Sequence, residues 1–542
     1  MKNAPTTEQA NPLLNRSDLA AAVGLGLASL AVYVRTLAPG LLPGDGGEFQ
    51  TLAFTLDHAH TTGYEVYMVL AKLFTFLPVV DVAYRVNLFS AVMGALTVAL
   101  VYLAGRVLSG SRWAAALGAL VLALSATFWS QAVVAEVYTA GSAFTAAVLL
   151  FTLLWWRTEC ARYLVFAGVL GGLSIGVHGS GVLFAPAVIA LIIIRTWSMK
   201  KNLRLLSRQV ILPAAAGALI GLALMVGLFA MVDARETQAS MLHAAYIPSA
   251  TRWDVTPEYF DTFTGRFSFL VFAQQWRSVM FADPDRTIPE NLGRFNRFFW
   301  NDFGLLGLLV LIAFVSLFRR SKPLLVFFIV GFAVYAWYTL NYGIWDIYVF
   351  FIAGFVYLAV LLAEGAKFAG GLVERWRADA RSRADARPRP QVREQFFSAA
   401  LIAMFLIFSA PTVIGYLSEG HARWDFFQYP SNIEMEARRL TIRGAMDDLP
   451  ENAAVLIGWD LLYNYAYVAH VELGRTEMTF MEAYPYANKE GMAESLVAYL
   501  TKELYNGRPV FAAEEFGELT QYGMTLTPVN VGGQRWFEVN FR

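Results

Sequence analysis

The sequence predicts an α-helical polytopic membrane protein with a small α/β domain at its C-terminal end. Three observations predict this. The 542 residues are 57% hydrophobic and only 15% charged, with a mean hydropathy of +0.47. The apolar residues fall in long blocks with the charges gathered between them. After about residue 417 the composition changes to that of a water-soluble chain.

A helix that crosses the bilayer needs roughly 20 apolar residues. The runs that qualify are 19–38, 86–105, 113–130, 137–156, 209–232, 303–318, 323–340, 347–364 and 396–416. The stretch 163–195 is also apolar and is broken at Val177-His178-Gly179-Ser180-Gly181, so it reads as a tight hairpin of two short spans. That gives about eleven crossings. Residues 1–18 are polar, and the run after them is long enough to remain as an anchor rather than a cleaved signal.

Tyr64–Val80 tests the count, because positive charge in short loops marks the cytoplasmic side. If this segment does not cross, Arg106, Arg112, Arg157, Arg162, Arg195, Lys200, Lys201, Arg204, Arg208, Arg319, Arg320 and Lys322 share the inner face with the arginine run 375–393. If it crosses, all of them move outside. The first option is adopted, and Glu65 and Lys72 mark the segment as an amphipathic helix lying in the interface. The chain then divides into a cytoplasmic N-terminus (1–18), a membrane domain (19–416) and an extracytoplasmic domain (417–542). The membrane domain has two large outer loops, 39–85 with interfacial helices and 233–302, and a basic inner loop at 365–395 that suits anionic lipid headgroups.

In the C-terminal part, strands are expected at 453–458, 477–482, 509–513 and 535–540, and helices at 460–473 and 492–505. This alternation predicts an α/β domain. Asp460, at a strand-to-helix junction, reads as a helix N-cap.

The chemistry concentrates in the first outer loop. In Pro39-Gly40-Leu41-Leu42-Pro43-Gly44-Asp45-Gly46-Gly47-Glu48-Phe49, prolines and glycines break the first span, and two carboxylates lie three residues apart. Glu48 is expected to open a helix running to about His60, with Asp45 near its positive end. Glu136 and Asp346 likewise precede spans on the same face. Acids at span ends can stay ionised and still meet a lipid substrate, whereas mid-span acids point to ion transport. The outer-face cations are Lys72, Arg85, Arg266, Arg277, His58, His60 and His178. Carboxylate plus cation is the minimum set for moving a sugar from a lipid phosphate. His58 and His60 are two residues apart and would not share a helix face, so a divalent metal is compatible with the pattern without being indicated by it. The single cysteine, Cys160, excludes internal disulfides and cysteine metal sites, and the formal net charge of +0 gives no basis for a nucleic-acid partner.

Several blocks, in order, resemble a known family. They are Asp45-Gly-Gly-Glu48-Phe, His60-Thr-Thr-Gly63-Tyr64, Ala83-Tyr-Arg85-Val-Asn87-Leu-Phe-Ser90, Phe128-Trp-Ser-Gln-Ala-Val-Val-Ala-Glu136-Val-Tyr138, Gly172-Leu-Ser-Ile-Gly-Val-His178, and Asp346 with Tyr348. Over roughly residues 20–365 the chain resembles the polytopic GT-C-type glycosyltransferases that are bacterial relatives of the eukaryotic transmembrane protein O-mannosyltransferases. The resemblance implies a GT-C-like fold in a bacterial inner membrane and a polyprenyl-phosphate-linked sugar, mannose or another hexose, as donor. It also implies inverting transfer to a hydroxyl of a protein or glycan acceptor. By the same resemblance Asp45 is the base, and Glu48 and Glu136 orient the acceptor or the base. Arg266, His178, His60 and Lys72 are the phosphate-side residues, and Tyr64, Tyr138, Asp346 and Tyr348 contact acceptor, sugar or lipid. The family's His-Pro-Pro-Gly-Tyr-Pro-like run is here His60-Thr61-Thr62-Gly63-Tyr64-Glu65, which removes prolines and places a charge beside the expected donor site. Two other readings compete: a lipid-sugar transporter, and a non-catalytic assembly or binding protein that keeps the fold.

Overall fold

The structure, a computed structural model, describes residues 13–199, 207–382, 391–487 and 489–542. Lys200, Lys201, Arg204 and the core of the arginine run 375–393 lie outside the described residues. Among those described, nine helices are long and apolar enough to cross a membrane, one more span is a pair bent by 66°, and Ala161–Ser174 is a shorter apolar helix. Each of the eleven apolar runs expected from the sequence overlaps one of these segments.

The first part of the chain runs α1 (Arg16–Arg35), α2 (Gly44–Thr55), α3 (Glu65–Thr75) and α4 (Val82–Ser109). The bent pair α5 (Arg112–Ala123) and α6 (Ala126–Ala132) follows, then α7 (Tyr138–Thr158) and α8 (Ala161–Ser174). Tyr64–Val80 becomes the 11-residue α3, too short to cross. It buries Val66, Tyr67, Met68 and Ala71 and leaves Leu73, Phe76 and Val80 exposed, as a helix lying in the interface would.

The apolar stretch 163–195 forms α8 and a span Gly179–Trp197, which includes α9 (Ala185–Met199). Helix α8 packs on α10 (Leu212–Asp233) backbone to backbone. A Cβ at Gly168 would lie 2.7 Å from the Ala218 nitrogen, and one at Gly221 would lie 2.4 Å from the Val169 carbonyl. Small residues at i and i+4 on both helices (Gly168 and Gly172, Gly217 and Gly221) permit this approach.

One span differs from expectation. The apolar run expected at 303–318 is the second half of a helical unit Pro284–Arg320, broken near Gly304. Its first half, Pro284–Phe303, is polar on one face and reads as a loop in a hydropathy scan.

Arginines collect at one end of the bundle. Arg106 and Arg112 bond the buried Asp18 at 3.1 and 2.7 Å. Arg157 donates to the Val107 carbonyl, and Arg320 bonds the Leu108 carbonyl and Glu364. Asp45, Glu48, Glu136, His178 and Asp346 collect at the other end, where the C-terminal domain also sits.

That domain holds β1 (Ala454–Ile457), β2 (Thr479–Glu482), β3 (Val510–Ala512), β4 (Met524–Val531) and β5 (Gln534–Phe541), in the order β2-β1-β3-β5-β4. The first three strands are parallel, and β5 and β4 extend the sheet antiparallel. Strand β4 is a difference from expectation, because its alternation is interrupted by Pro528 and Asn530 and reads as a loop. The expected helix 460–473 is Trp459–Ala466 followed by a π-helical turn, Tyr467–Glu472. Asp460 is therefore within the first turn, and Gly458 is the N-cap.

Candidate functional site

Helix α2 organises the acid cluster. It starts at Gly44, four residues before Glu48, with Pro43 as N-cap and Asp45 in the first turn. Gly44 adopts φ +57°, a left-handed entry that glycine tolerates. Asp45 and Glu48, three apart, share a face but sit at different depths. The Asp45 side chain is 43% exposed and that of Glu48 fully buried.

Glu48 is tied to His60. One carboxylate oxygen accepts the His60 main-chain N–H at 2.6 Å, and the other lies 2.6 Å from Nδ1. The second imidazole nitrogen, Nε2, faces the Tyr64 hydroxyl at 3.3 Å and the Asp45 carboxylate at 3.9 Å. Burial opposes a charge on the ring, but Glu48 and then Asp45 outweigh it and raise His60 to about 9. Burial raises Glu48 as well, so at neutral pH the pair keeps a proton on its 2.6 Å bond. Beside it, burial and then Asp45 push Glu136 well above the usual carboxylate range, and the same two causes raise Asp346 to about 6. Ser90 pins the Glu136 backbone through bonds of 3.2 and 3.3 Å. Tyr64, Phe49 and Trp459 surround the His60 ring at centroid distances of 5.1, 5.6 and 6.4 Å.

His178 adjoins this cluster. Its ring lies 6.0 Å from Tyr64 and 5.5 Å from Tyr138, and Nδ1 bonds Ser180 at 2.6 Å. Burial lowers it to about 4, so it is neutral. With Tyr138, Ser142, Tyr335 and Phe350 it lines a small cavity of about 20 Å³, room for about one water. Tyr348 stacks on Phe298 at 5.0 Å.

The structure does not bring the other two named cations into this cluster. Arg266 is bonded to Asp233 through two nitrogens at 2.6 and 2.7 Å and to the Phe260 carbonyl. Lys72 donates to the Phe54 carbonyl near the far end of α2, with its ammonium over the Phe54 and Phe76 rings. Glu65, expected as a charge beside the donor, instead points to His58 at 3.3 Å.

Asp45, Glu48 and His60 also have the spacing of a metal triad, with ligand atoms within 4.8 Å of one another. The fit is poor, because both Glu48 oxygens and Nδ1 of His60 are consumed by each other and by the main chain. A cation there would have only Asp45 and Nε2 free.

Two contributors come from the C-terminal domain and were not anticipated. The Trp459 indole N–H donates to an Asp45 oxygen at 3.2 Å. Glu482, buried at the end of β2, is raised to about 8 by burial and then by Glu48. A signal existed in the sequence: both residues sit at the carboxyl ends of adjacent parallel strands, where α/β sheets place ligand sites.

Together the crossing helices, the acid-bearing first loop and the capping α/β domain define a membrane protein of the GT-C fold. The chain superposes on ArnT from Cupriavidus metallidurans bound to undecaprenyl phosphate, with TM-score 0.55 and 14% identity over 96% of this chain and 98% of that one. It also superposes on the Archaeoglobus fulgidus oligosaccharyltransferase, with TM-score 0.51 and 15% identity over 91% of this chain and 69% of that one. In sequence, residues 45–201 match the family described as the N-terminal domain of the protein O-mannosyl-transferase TMEM260. The chain is 31% identical to the Mus musculus protein O-mannosyl-transferase TMEM260 over 194 residues, 35% of this chain and 28% of that protein. It is 25% identical to the Dictyostelium discoideum counterpart over 147 residues, 27% of this chain and 18% of that one. The matched stretch thus spans under a third of either relative.

Proposed function

We propose that the chain is an inverting glycosyltransferase that moves a hexose, mannose in the first instance, from a polyprenyl-phosphate donor to a hydroxyl of an extracytoplasmic protein, a Ser or Thr side chain. The named relatives and the two structural neighbours support the class. The observation that carries the reading is the half-exposed Asp45 carboxylate beside a buried Glu48–His60 pair. The acceptor oxygen attacks the anomeric carbon while Asp45 takes its proton, and the bond from that carbon to the phosphate oxygen breaks. The leaving group departs as polyprenyl phosphate. His60, paired with Glu48, offers its free nitrogen to that phosphate, and Glu136 and Asp346 flank the acceptor. The acid end of the bundle is on this reading the extracytoplasmic one, and the N-terminus is cytoplasmic.

The test is Asp45→Asn in liposomes supplied with polyprenyl-phosphate mannose and a Ser/Thr-rich peptide. A positioned general base contributes roughly 10²–10⁴ in rate, so a fall of that size is expected with unchanged folding. Full transfer by the variant would remove Asp45 as the base. Mass spectrometry of exported proteins from cells with and without the chain identifies the acceptor: a missing hexose is expected, and an unchanged glycoproteome would favour the non-catalytic reading.

A further inference from the structure

The helix Trp459–Ala466 lies along α2, and its position is fixed by polar contacts spread over its length. Asn464 donates to the Leu42 carbonyl at 3.0 Å, and Thr51 donates to the Tyr463 carbonyl at 3.3 Å. Just beyond it, the Tyr467 hydroxyl accepts the Ala83 N–H at 3.0 Å. Tyr463 lies against Gly47, where an added Cβ would be 3.5 Å from its own. At the leading end, the Trp459 indole nitrogen lies 3.6 Å from where a Cβ on Gly44 would be, over the first turn of α2. From there it donates to one Asp45 oxygen at 3.2 Å, and the other oxygen faces His60 at 3.9 Å.

We infer that the C-terminal domain is part of the reaction site and that Trp459 is a positioning residue, whose indole N–H holds the Asp45 carboxylate in the orientation that accepts the acceptor proton. This rests on Asp45 being the base, as proposed above. A half-exposed aspartate on a first helical turn has free rotamers. One donor to one oxygen selects a single rotamer and leaves the second oxygen open, and restricting such freedom in a reacting group is worth rate without substrate affinity. Phenylalanine at 459 keeps an aromatic ring there and removes the N–H together with the rest of the five-membered ring.

The experiment is a cycle of wild type, Trp459→Phe, Asp45→Asn and the double variant. Each full-length protein is assayed with polyprenyl-phosphate mannose and a Ser/Thr-rich peptide, and each is also unfolded thermally in detergent. Trp459→Phe is expected to lower kcat about tenfold with KM within about twofold. In the Asp45→Asn background it is expected to lower kcat no further, since the carboxylate it positions is gone. Tyr467→Phe loosens the same docking surface away from Asp45 and is expected to leave kcat unchanged within about twofold, which separates positioning from docking. An active wild type in which Trp459→Phe keeps full kcat, or lowers it equally in both backgrounds, overturns this inference and leaves the glycosyltransferase reading standing. A wild type that transfers no sugar overturns that reading, and this one with it.

Discussion

Two buried networks meet in the loop between α2 and α3, and they are built from the same residue types. In one, Glu65, His58, Asp233 and Arg266 form an unbroken chain, with His58 3.3 Å from each carboxylate and Arg266 closing on Asp233. Two acids face two cations. In the other, Asp45, Glu48, Glu136 and Asp346 surround a single basic group, His60. His58 and His60 are two residues apart in a non-helical segment, and their rings join different networks. The difference teaches which one is scaffold. A charge-balanced chain whose charges are spent on one another stabilises a fold, although Glu65 Oε2 stays buried without a hydrogen-bond partner. An acid-rich cluster with one half-exposed carboxylate is costly to build, and such imbalance marks chemistry.

The largest expected effect separates the two networks by readout. Arg266→Ala removes the end of the balanced chain and leaves Asp233 with His58 as its one remaining counter-charge. Breaking a buried pair costs about 3–5 kcal/mol, so thermal unfolding should shift strongly downward. Asp45→Asn should leave unfolding nearly unchanged while lowering transfer by roughly 10²–10⁴. If Arg266→Ala instead keeps its stability and weakens donor binding, the comparison fails and Arg266 returns as a phosphate ligand.

A smaller effect comes from pH. Burial opposes a charge on His58, but Asp233 and Glu65 outweigh it and raise it from 6.5 to about 9. A group with a raised folded pKa contributes stability that is fully present below the unfolded value and lost as pH rises through the folded one. Resistance to unfolding should therefore decline from about pH 6.5 through pH 9. His58→Gln should start lower and decline less over that window. An equal decline in the variant would place the loss elsewhere, in His60.

Much of this was legible in the sequence because it is local. Gly40, Pro43 and Gly44 announce the break after the first span, and the arginine count excludes Tyr64–Val80 as a crossing. Asp45, Glu48 and Glu136 stand beside span ends where polarity changes. What was not legible is partnership across distance. Nothing near Arg266 in the sequence says that Asp233, at the end of another helix, takes its guanidinium. Nothing near Asp45 says that Trp459, 414 residues later, donates to it. Nothing near Lys72 in the sequence says that the Phe54 carbonyl and the Phe54 and Phe76 rings take its ammonium. The α8–α10 contact has a small-residue signature, yet hydropathy weighs only transfer into lipid and ignores backbone approach.

The smallest effect probes where the C-terminal domain adds to the imbalance. Glu482 carries the acid-rich field into the soluble domain, and burial together with Glu48 holds it at about 8. Below that pH it is neutral, and above it a further negative charge joins those of Glu48 and Asp45. His60, at about 9, gives up its proton next. The alkaline limb of kcat should therefore fall near pH 8 in the wild-type protein and move to near pH 9 in Glu482→Gln. The rate of that variant at pH 7 should remain within about threefold of wild type, since a neutral acid is exchanged for a neutral amide. An unchanged limb in Glu482→Gln would detach Glu482 from the cluster and confine the imbalance to the membrane domain.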